Sequence, residues 1–355
     1  MSGVGFAALL VGAFSLAIAL FSPFVVRPML ERSGVIDMPN ERSSHQRPTI
    51  RGMGITTALA TVSALILAVF MPQGSEPGAG GAALLLVIAI ATAAAASVGW
   101  LEDIRGLGIK TRAGLQLAIG AVATAVMALL DPAQDQLWWI PAGAVAVAAF
   151  INVTNFMDGI NGISGVQGFL MGGFYAYAGY VNQQPWLIYV GIAVGFAFAG
   201  FLPWNLGKNN VFLGDVGSYL LGAAISVTAL AAFLSGISVE YVFSPVLIYL
   251  ADTFVTFLRR LRAGERVYSA HRTHAYQRLT DAPMSHIQAT SVVAVATILV
   301  SVLGIVAARS SEPIRIGASI LCVLVVFAYL KSPGFFSFIQ AKRSGRQATH
   351  NRQQG

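Results

Sequence analysis

Long apolar runs separated by short polar breaks dominate the pattern of this chain. The runs lie near residues 4–26, 53–71, 81–101, 113–130, 137–154, 163–181, 186–204, 213–234, 241–258, 287–308 and 315–332. A membrane-crossing helix needs about 17–25 predominantly apolar residues, and in lipid a chain must satisfy its own backbone groups as helix or closed barrel. The pattern therefore predicts an all-α polytopic bundle of about eleven transmembrane helices, forming one domain over residues 1–334. Residues 335–355 read as a basic tail without fixed structure.

Composition sharpens this reading. Hydrophobic residues make up 56% and charged residues 10% of the 355, against about 25% charged in soluble domains, which excludes a soluble globular class. The single Cys322 excludes a disulfide framework and a cysteine-based metal site. The first run contains Ala17-Ile18-Ala19 but no basic segment before it, so it reads as a retained helix rather than a cleaved signal.

The formal charge of +7 invites a nucleic-acid reading, and the placement of the charge rejects it. With the spans above, 20 of the 22 Lys and Arg fall on one side, and only Arg309 and Arg315 fall on the other. The positive-inside rule makes the basic side the cytoplasm, with the N-terminus outside and the C-terminus inside. The basic tail then meets the anionic headgroups of membrane lipids.

The polar islands all lie on that side. In INVTNFMDGINGISG, Asn152, Asn155 and Asp158 recur every three residues and share one broad helix side before Gly159 and Gly162 break the helix. Such groups are costly beside hydrocarbon, so they cap one another or bind something. PNERSSHQRPTIRGMG brings His45 and Arg51 in a basic loop that either obeys topology or attracts a phosphate-bearing substrate. GWLEDIRGLG places the carboxylates Glu102 and Asp103 at the inner end of the third run, where acids facing a diphosphate need a metal ion between them.

VFLGDVGSYLLG puts Asp215 at a helix start, where free N–H groups meet anions, with Gly214 allowing close approach. Asp252 lies inside the ninth run, and the favoured reading is a structural ion pair with Arg259 at the end of the same helix. AHRTHAYQRL interleaves His271, Arg272 and His274, which suits a phosphate clamp better than a zinc site. Acids for an oxygen-liganded cation together with cations for phosphates make up the inventory of phosphoryl transfer. No G-x-S-x-G or P-loop pattern is present.

These segments resemble a known family, the polyprenyl-phosphate N-acetylhexosamine-1-phosphate transferases (glycosyltransferase family 4). NVTNFMDGINGISG resembles its N-x-x-N-x-x-D-G-I-[DN]-G segment, FLGDVGS its F-[LM]-G-D-x-G-S segment, WLEDIRGL its D-D-x-x-G-L segment and PNERSSHQRPTIRGMG its first cytoplasmic loop. AHRTHAYQRL is similar to the H-R-x-H-x-Y-Q-R-L form of the branch that primes O-antigen and related glycans with N-acetylated, often 6-deoxy, sugars. The branches that make peptidoglycan precursors or transfer N-acetylglucosamine carry clustered histidines instead.

The resemblance implies that residues 1–334 are catalytic, at the cytoplasmic face of a bacterial inner membrane, with the lipid-linked sugar initiating O-antigen or other cell-envelope glycans. It implies that undecaprenyl phosphate attacks a UDP-N-acetylhexosamine, releasing UMP, with Mg²⁺ or Mn²⁺ required. By the same resemblance Asp215 and Asn155 are metal ligands, and Asp103 is the acid–base or lipid-phosphate-orienting carboxylate. Asp158 and Asn152 help hold the nucleotide sugar, and His45, Arg51, His271, Arg272, His274 and Gly214 contact substrate. Glu102 stands where the family has its first Asp, which puts a direct catalytic role for it in question.

Sugar identity and the choice between monomer and homodimer stay open at this point, as does direct attack against a phospho-enzyme. A secondary transporter shares intramembrane acids and glycine-broken helices, but it places its site near the midplane rather than at one face.

Overall fold

Each apolar run folds as helix. The computed structural model describes residues 2–37, 49–73, 80–130, 136–207, 211–265, 272–282 and 284–353, with side chains as far as Phe338. In chain order the elements begin with α1 (Ser2–Phe21), α2 (Pro23–Arg32), β1 (Ile36–Asp37), β2 (Thr49–Ile50), α3 (Gly54–Val69), α4 (Gly80–Arg105) and α5 (Ile109–Leu130). They continue with α6 (Ile140–Met157), α7 (Ile163–Val181), α8 (Pro185–Leu206), α9 (Gly214–Leu234) and α10 (Val239–Phe243). The last are α11 (Leu247–Arg262), α12 (Ala275–Asp281), α13 (His286–Arg309) and α14 (Glu312–Gln353).

The protein is an all-α polytopic membrane bundle, and among the described residues the one sheet is the two-residue pairing of β1 with β2. Among the described residues, nine helical segments are long and apolar enough to cross a membrane. The two other runs read as spans also fold as helix: α3 has only 16 residues, and the 19 of α7 are interrupted by glycines and by Ser164 and Gln167.

Two segments differ from the sequence reading. The run near 241–258 is not one helix, because Pro245 lacks the N–H that a continuous ladder needs, and a 3-10 turn over Ser244–Val246 separates α10 from α11. Residues 335–353, read as a loose tail, continue α14 to Gln353, since nothing after Pro333 and Gly334 interrupts the ladder.

Helix α9 is the centre of the bundle. Of its most apolar window 78% is buried, against 17% for the span in α14, whose Ile316, Ile320, Val323 and Phe327 are exposed. Lipid tails are as apolar as leucine, so helices associate in a membrane by close backbone packing at small residues. Gly217 of α9 lies on Gly54 of α3, Gly222 lies on Ile151 and Thr154 of α6, and Gly99 of α4 lies on the Asp215 carbonyl. These three contacts bring the ends of α4, α6 and α9 to one spot.

The chain before α3 is sewn to the same spot by backbone pairing. Ile50 bridges Val211, Phe212 N–H donates to the Ile50 carbonyl at 2.8 Å, and Met53 N–H donates back to Phe212 at 3.1 Å. Buried Asn205 joins two corners, donating to the Val211 carbonyl at 2.8 Å and accepting the Gly162 N–H at the start of α7.

Candidate active site

The site is assembled on the first turn of α9. Gly214 has a φ of +75°, and a Cβ there would lie 2.6 Å from Asp103 Oδ2 and 2.8 Å from Gly52 N, so only glycine lets the Asp103 carboxylate and the Gly52 backbone come this close. Asp103, at the end of α4, accepts the Asp215 N–H on Oδ1 and the Val216 N–H on Oδ2, both at 3.0 Å. A helix start leaves such N–H groups without intrahelical partners, and here a carboxylate from another helix satisfies two of them.

Arg51 ties the acids together. Its Nε lies 2.7 Å from Asp103 Oδ1 and its Nη2 lies 3.0 Å from Asp215 Oδ2. The Asp103 side chain is fully buried between these donors, while that of Asp215 keeps 14% exposure. The exposure difference decides their roles: Asp215 faces the open side of the site and Asp103 lies behind it. From α6, Asn155 Nδ2 donates to Asp215 Oδ1 at 2.7 Å and to Ser218 Oγ at 3.1 Å.

Asp158 follows the end of α6, outside the spanning segment, and accepts the Ser164 hydroxyl at 2.5 Å. Burial pushes its carboxyl up to about 8, the charges of Asp215 and Asp103 add to the rise, and the Ser164 hydrogen bond opposes it. The charges of Asp103, Asp158, Asp215 and Arg51 all act on one another within this corner.

Glu102 points the other way along the rim. Its Oε1 pairs with Arg112 Nη1 at 2.9 Å and its Oε2 accepts the Leu107 N–H, closing the α4–α5 turn. Asn152 donates to Gln116 Oε1 at 2.6 Å and to its own helix at Ala148, one turn below Asn155. Both residues border the Asp103–Asp215 cluster without entering it.

The Asp252–Arg259 pair does not form. Seven residues of helix separate the two Cα atoms by about 10 Å, and the segment after α11 folds back to supply nearer partners. Asp252 Oδ1 lies 3.3 Å from His274 Nδ1, whereas Arg259 donates to the Thr273 carbonyl at 3.4 Å. His274 is buried against Asp252, and Arg272 is partly exposed 3.8 Å from Asp281. His45 and His271 lie outside the described residues.

Several participants carried little sequence signal. Ser218 lies one helical turn after Asp215 and was legible as its neighbour on the same face. Arg112 counted only towards topology, and Ser164 reaches Asp158 across a turn that no periodicity reports. Asn205 showed nothing beyond being a polar residue at a helix end.

The donor set fits a hard divalent cation. Among the described residues no three His, Cys, Asp or Glu side chains gather closely enough to hold an ion alone. Magnesium takes one or two carboxylates and completes its shell with water and substrate phosphates. Asp215, with the Asn155 side chain against it and Asp158 in the same corner, offers that kind of oxygen set.

The model of glycosyl transferase family 4 matches residues 85–233, which include Asp103, Asn155, Asp158 and Asp215. The chain is 29% identical over 319 residues to a decaprenyl-phosphate N-acetylglucosaminephosphotransferase of Mycobacterium tuberculosis, covering 78% of this chain and 76% of that one. It is 26% identical over 332 residues to the undecaprenyl-phosphate alpha-N-acetylglucosaminyl 1-phosphate transferase of Escherichia coli, covering 86% and 85%. A Bacillus subtilis protein named as a probable undecaprenyl-phosphate N-acetylglucosaminyl 1-phosphate transferase is 20% identical over 326 residues, with 87% and 88% covered.

Proposed function

We propose that the chain is a member of glycosyl transferase family 4, whose model matches residues 85–233, and that it moves an N-acetylhexosamine 1-phosphate from a UDP-sugar to undecaprenyl phosphate. In the proposed reaction an oxygen of the lipid phosphate attacks the β-phosphorus of the UDP-sugar. The bond from that phosphorus to the bridging oxygen breaks, and UMP leaves with the bridging oxygen. The product, a lipid diphosphate carrying the sugar, initiates an O-antigen or other cell-envelope glycan at the cytoplasmic face of a bacterial inner membrane.

One observation carries this reading. Arg51, Asp103, Asn155 and Asp215, drawn from segments far apart in the chain, meet at the start of α9 through contacts of 2.7–3.0 Å. Phosphoryl transfer is catalysed mainly by positioning and charge neutralisation, and this cluster suits both. Asp215, Asn155 and Asp158 would hold Mg²⁺ or Mn²⁺, which supplies positive charge to the diphosphate when bound. Arg51 already spans two carboxylates and can pass one of its donors to a phosphate oxygen.

We assign Asp103 a different part from the acid–base or lipid-phosphate-orienting role that the family resemblance implies. Its two oxygens are occupied by two backbone N–H groups and Arg51, so it orients Asp215. A phosphate monoester has its second pKa near about 6. The attacking lipid phosphate is therefore already ionised at neutral pH and does not require a carboxylate to take its proton.

Membranes containing the protein, given undecaprenyl phosphate, Mg²⁺ and radiolabelled UDP-sugars, should yield labelled lipid and UMP. Asp215→Asn should abolish both while the protein still inserts, and undiminished turnover in that variant removes the assignment. The relatives bear N-acetylglucosamine in their names, whereas residues 270–279 resemble the 6-deoxy-sugar branch. A panel of UDP-GlcNAc, UDP-GalNAc, UDP-FucNAc and UDP-QuiNAc decides between them.

A further inference from the structure

The bundle holds a further buried carboxylate that this chemistry does not use. Asp252 of α11 has no exposed surface, yet five donors converge on it from three helices and a loop. Tyr329 of α14 donates its hydroxyl at 2.6 Å, and Ala275 N–H and Tyr276 N–H at the start of α12 donate at 2.9 and 3.4 Å. His274 Nδ1 and Thr256 Oγ1 complete the shell, each at 3.3 Å. An ionised carboxylate only accepts, so His274 carries its proton on Nδ1 towards Asp252.

Burying a carboxylate in this way is a poor means of adding stability, because apolar packing of the same volume does as well or better. What it supplies is direction. With Asp252 fixed, α12 presents Tyr276, whose hydroxyl donates to the Phe156 carbonyl at 2.9 Å, two residues before Asp158. Gly159, the residue after Asp158, rests on that same hydroxyl and on Gln277 Nε2. The His274 ring is layered between Phe156 and Tyr276, with centroids 6.3 and 5.8 Å away. A continuous line of contacts thus runs from Tyr329 in the last helix to the turn that carries Asp158.

We propose that Asp252, clamped by Tyr329, is a positioning residue that holds residues 272–277 against the Asp158 turn and so sets how the nucleotide sugar is captured. It acts through Tyr276 and His274 and touches no reacting atom. The inference rests on the transferase reading above, and the experiment separates the two.

The test uses the full-length protein in detergent–lipid micelles with a UDP-sugar the wild type accepts, and KM is measured for each substrate in turn. Tyr329→Phe removes one hydroxyl and leaves the other donors to Asp252 in place; Asp252→Asn weakens the whole hub. Each should raise KM for the UDP-sugar by about tenfold, the scale of one lost hydrogen bond to a charged group, and leave KM for undecaprenyl phosphate within twofold. Adding Tyr276→Phe to Tyr329→Phe should raise it no further than the larger single effect, since both lie on one line.

KM does not depend on how much protein is folded. If kcat falls with the folded fraction while KM for the UDP-sugar stays unchanged in Tyr329→Phe, the hub is only structural and the inference is overturned. A rise confined to KM for the lipid acceptor overturns it as well. A wild-type protein that makes no lipid product overturns the transferase reading instead.

Discussion

Asp103 caps the first turn of α9, which carries Asp215, accepting the Asp215 N–H at 3.0 Å while Arg51 spans both carboxylates. One acid is therefore consumed in aiming the other. The two residues lie 112 positions apart in the chain, and their different exposure gives them different consequences when altered.

Asp103→Asn places an amide N–H₂ against the N–H groups of α9 and the Arg51 guanidinium. Breaking one partner of a buried, hydrogen-bonded ion pair costs about 3–5 kcal/mol, so we expect a lower thermal unfolding midpoint as well as lost transfer. Asp215→Asn removes one of two neighbouring carboxylates, and its amide oxygen can still accept from Arg51. We expect transfer to fall at least about a hundredfold with stability within about 1 kcal/mol of wild type. Unfolding curves beside labelled-lipid assays distinguish the two, and an equal stability loss in both would contradict the capping role.

Arg51→Lys keeps the charge and loses the fork. A single ammonium cannot place donors 2.7 Å from one carboxylate and 3.0 Å from the other as a planar guanidinium does. We expect kcat/KM to fall about ten- to a hundredfold in Arg51→Lys, the scale of one charge-assisted contact, and further in Arg51→Ala. Wild-type kinetics in the lysine variant would show that charge alone suffices.

Asp158 predicts a pH dependence of stability. Its carboxyl has an ordinary value near 3.8 and is raised to about 8 in the fold, chiefly by burial. Between those values the folded chain holds a proton that the unfolded chain has released, so stability falls as pH rises through this window and levels off above it. Below the window both states are protonated and the stabilisation is complete. Thermal midpoints measured from pH 5 to pH 9 should decline in the wild type and decline less in Asp158→Asn; parallel curves would remove the assignment.

Gly214→Ala tests the close approach at the start of α9. The left-handed φ of +75° costs a residue with a Cβ about 1–2 kcal/mol, and that Cβ would stand 2.6 Å from Asp103 Oδ2 and 2.8 Å from Gly52 N. We expect loss of transfer with a lowered midpoint, larger than for Gly173→Ala, where a Cβ would meet nothing within 4 Å. Equal effects at the two positions would mean that the approach is looser than the structure shows.

Much of the molecule was legible along the chain. Hydropathy placed the long spanning helices, though not the break at Pro245 or the short α12, because a bilayer forces backbone groups to pair within the segment and so ties length and polarity to local structure. The polar islands were legible for the same reason, since carboxylates and amides at membrane depth are too costly to be incidental. The clustering of Asn155 and Asp215 is what the motif resemblance implied, and Ser218 was recoverable from helical spacing.

Other relations were decided only by the fold. That Asp103 caps α9, that Arg51 bridges two acids, and that Asp252 pairs with His274 and Tyr329 rather than Arg259 all depend on which helix ends meet. Periodicity reports which face of a helix is apolar and says nothing about its neighbour. Here the neighbour is chosen by glycines of α3, α4 and α9 that permit close backbone contact, and the contacts of Gly54 with Gly217 and of Gly99 with Asp215 join residues more than a hundred positions apart. The chain thus determined its own spans and their polar ends, and tertiary packing determined which of those ends share a charge.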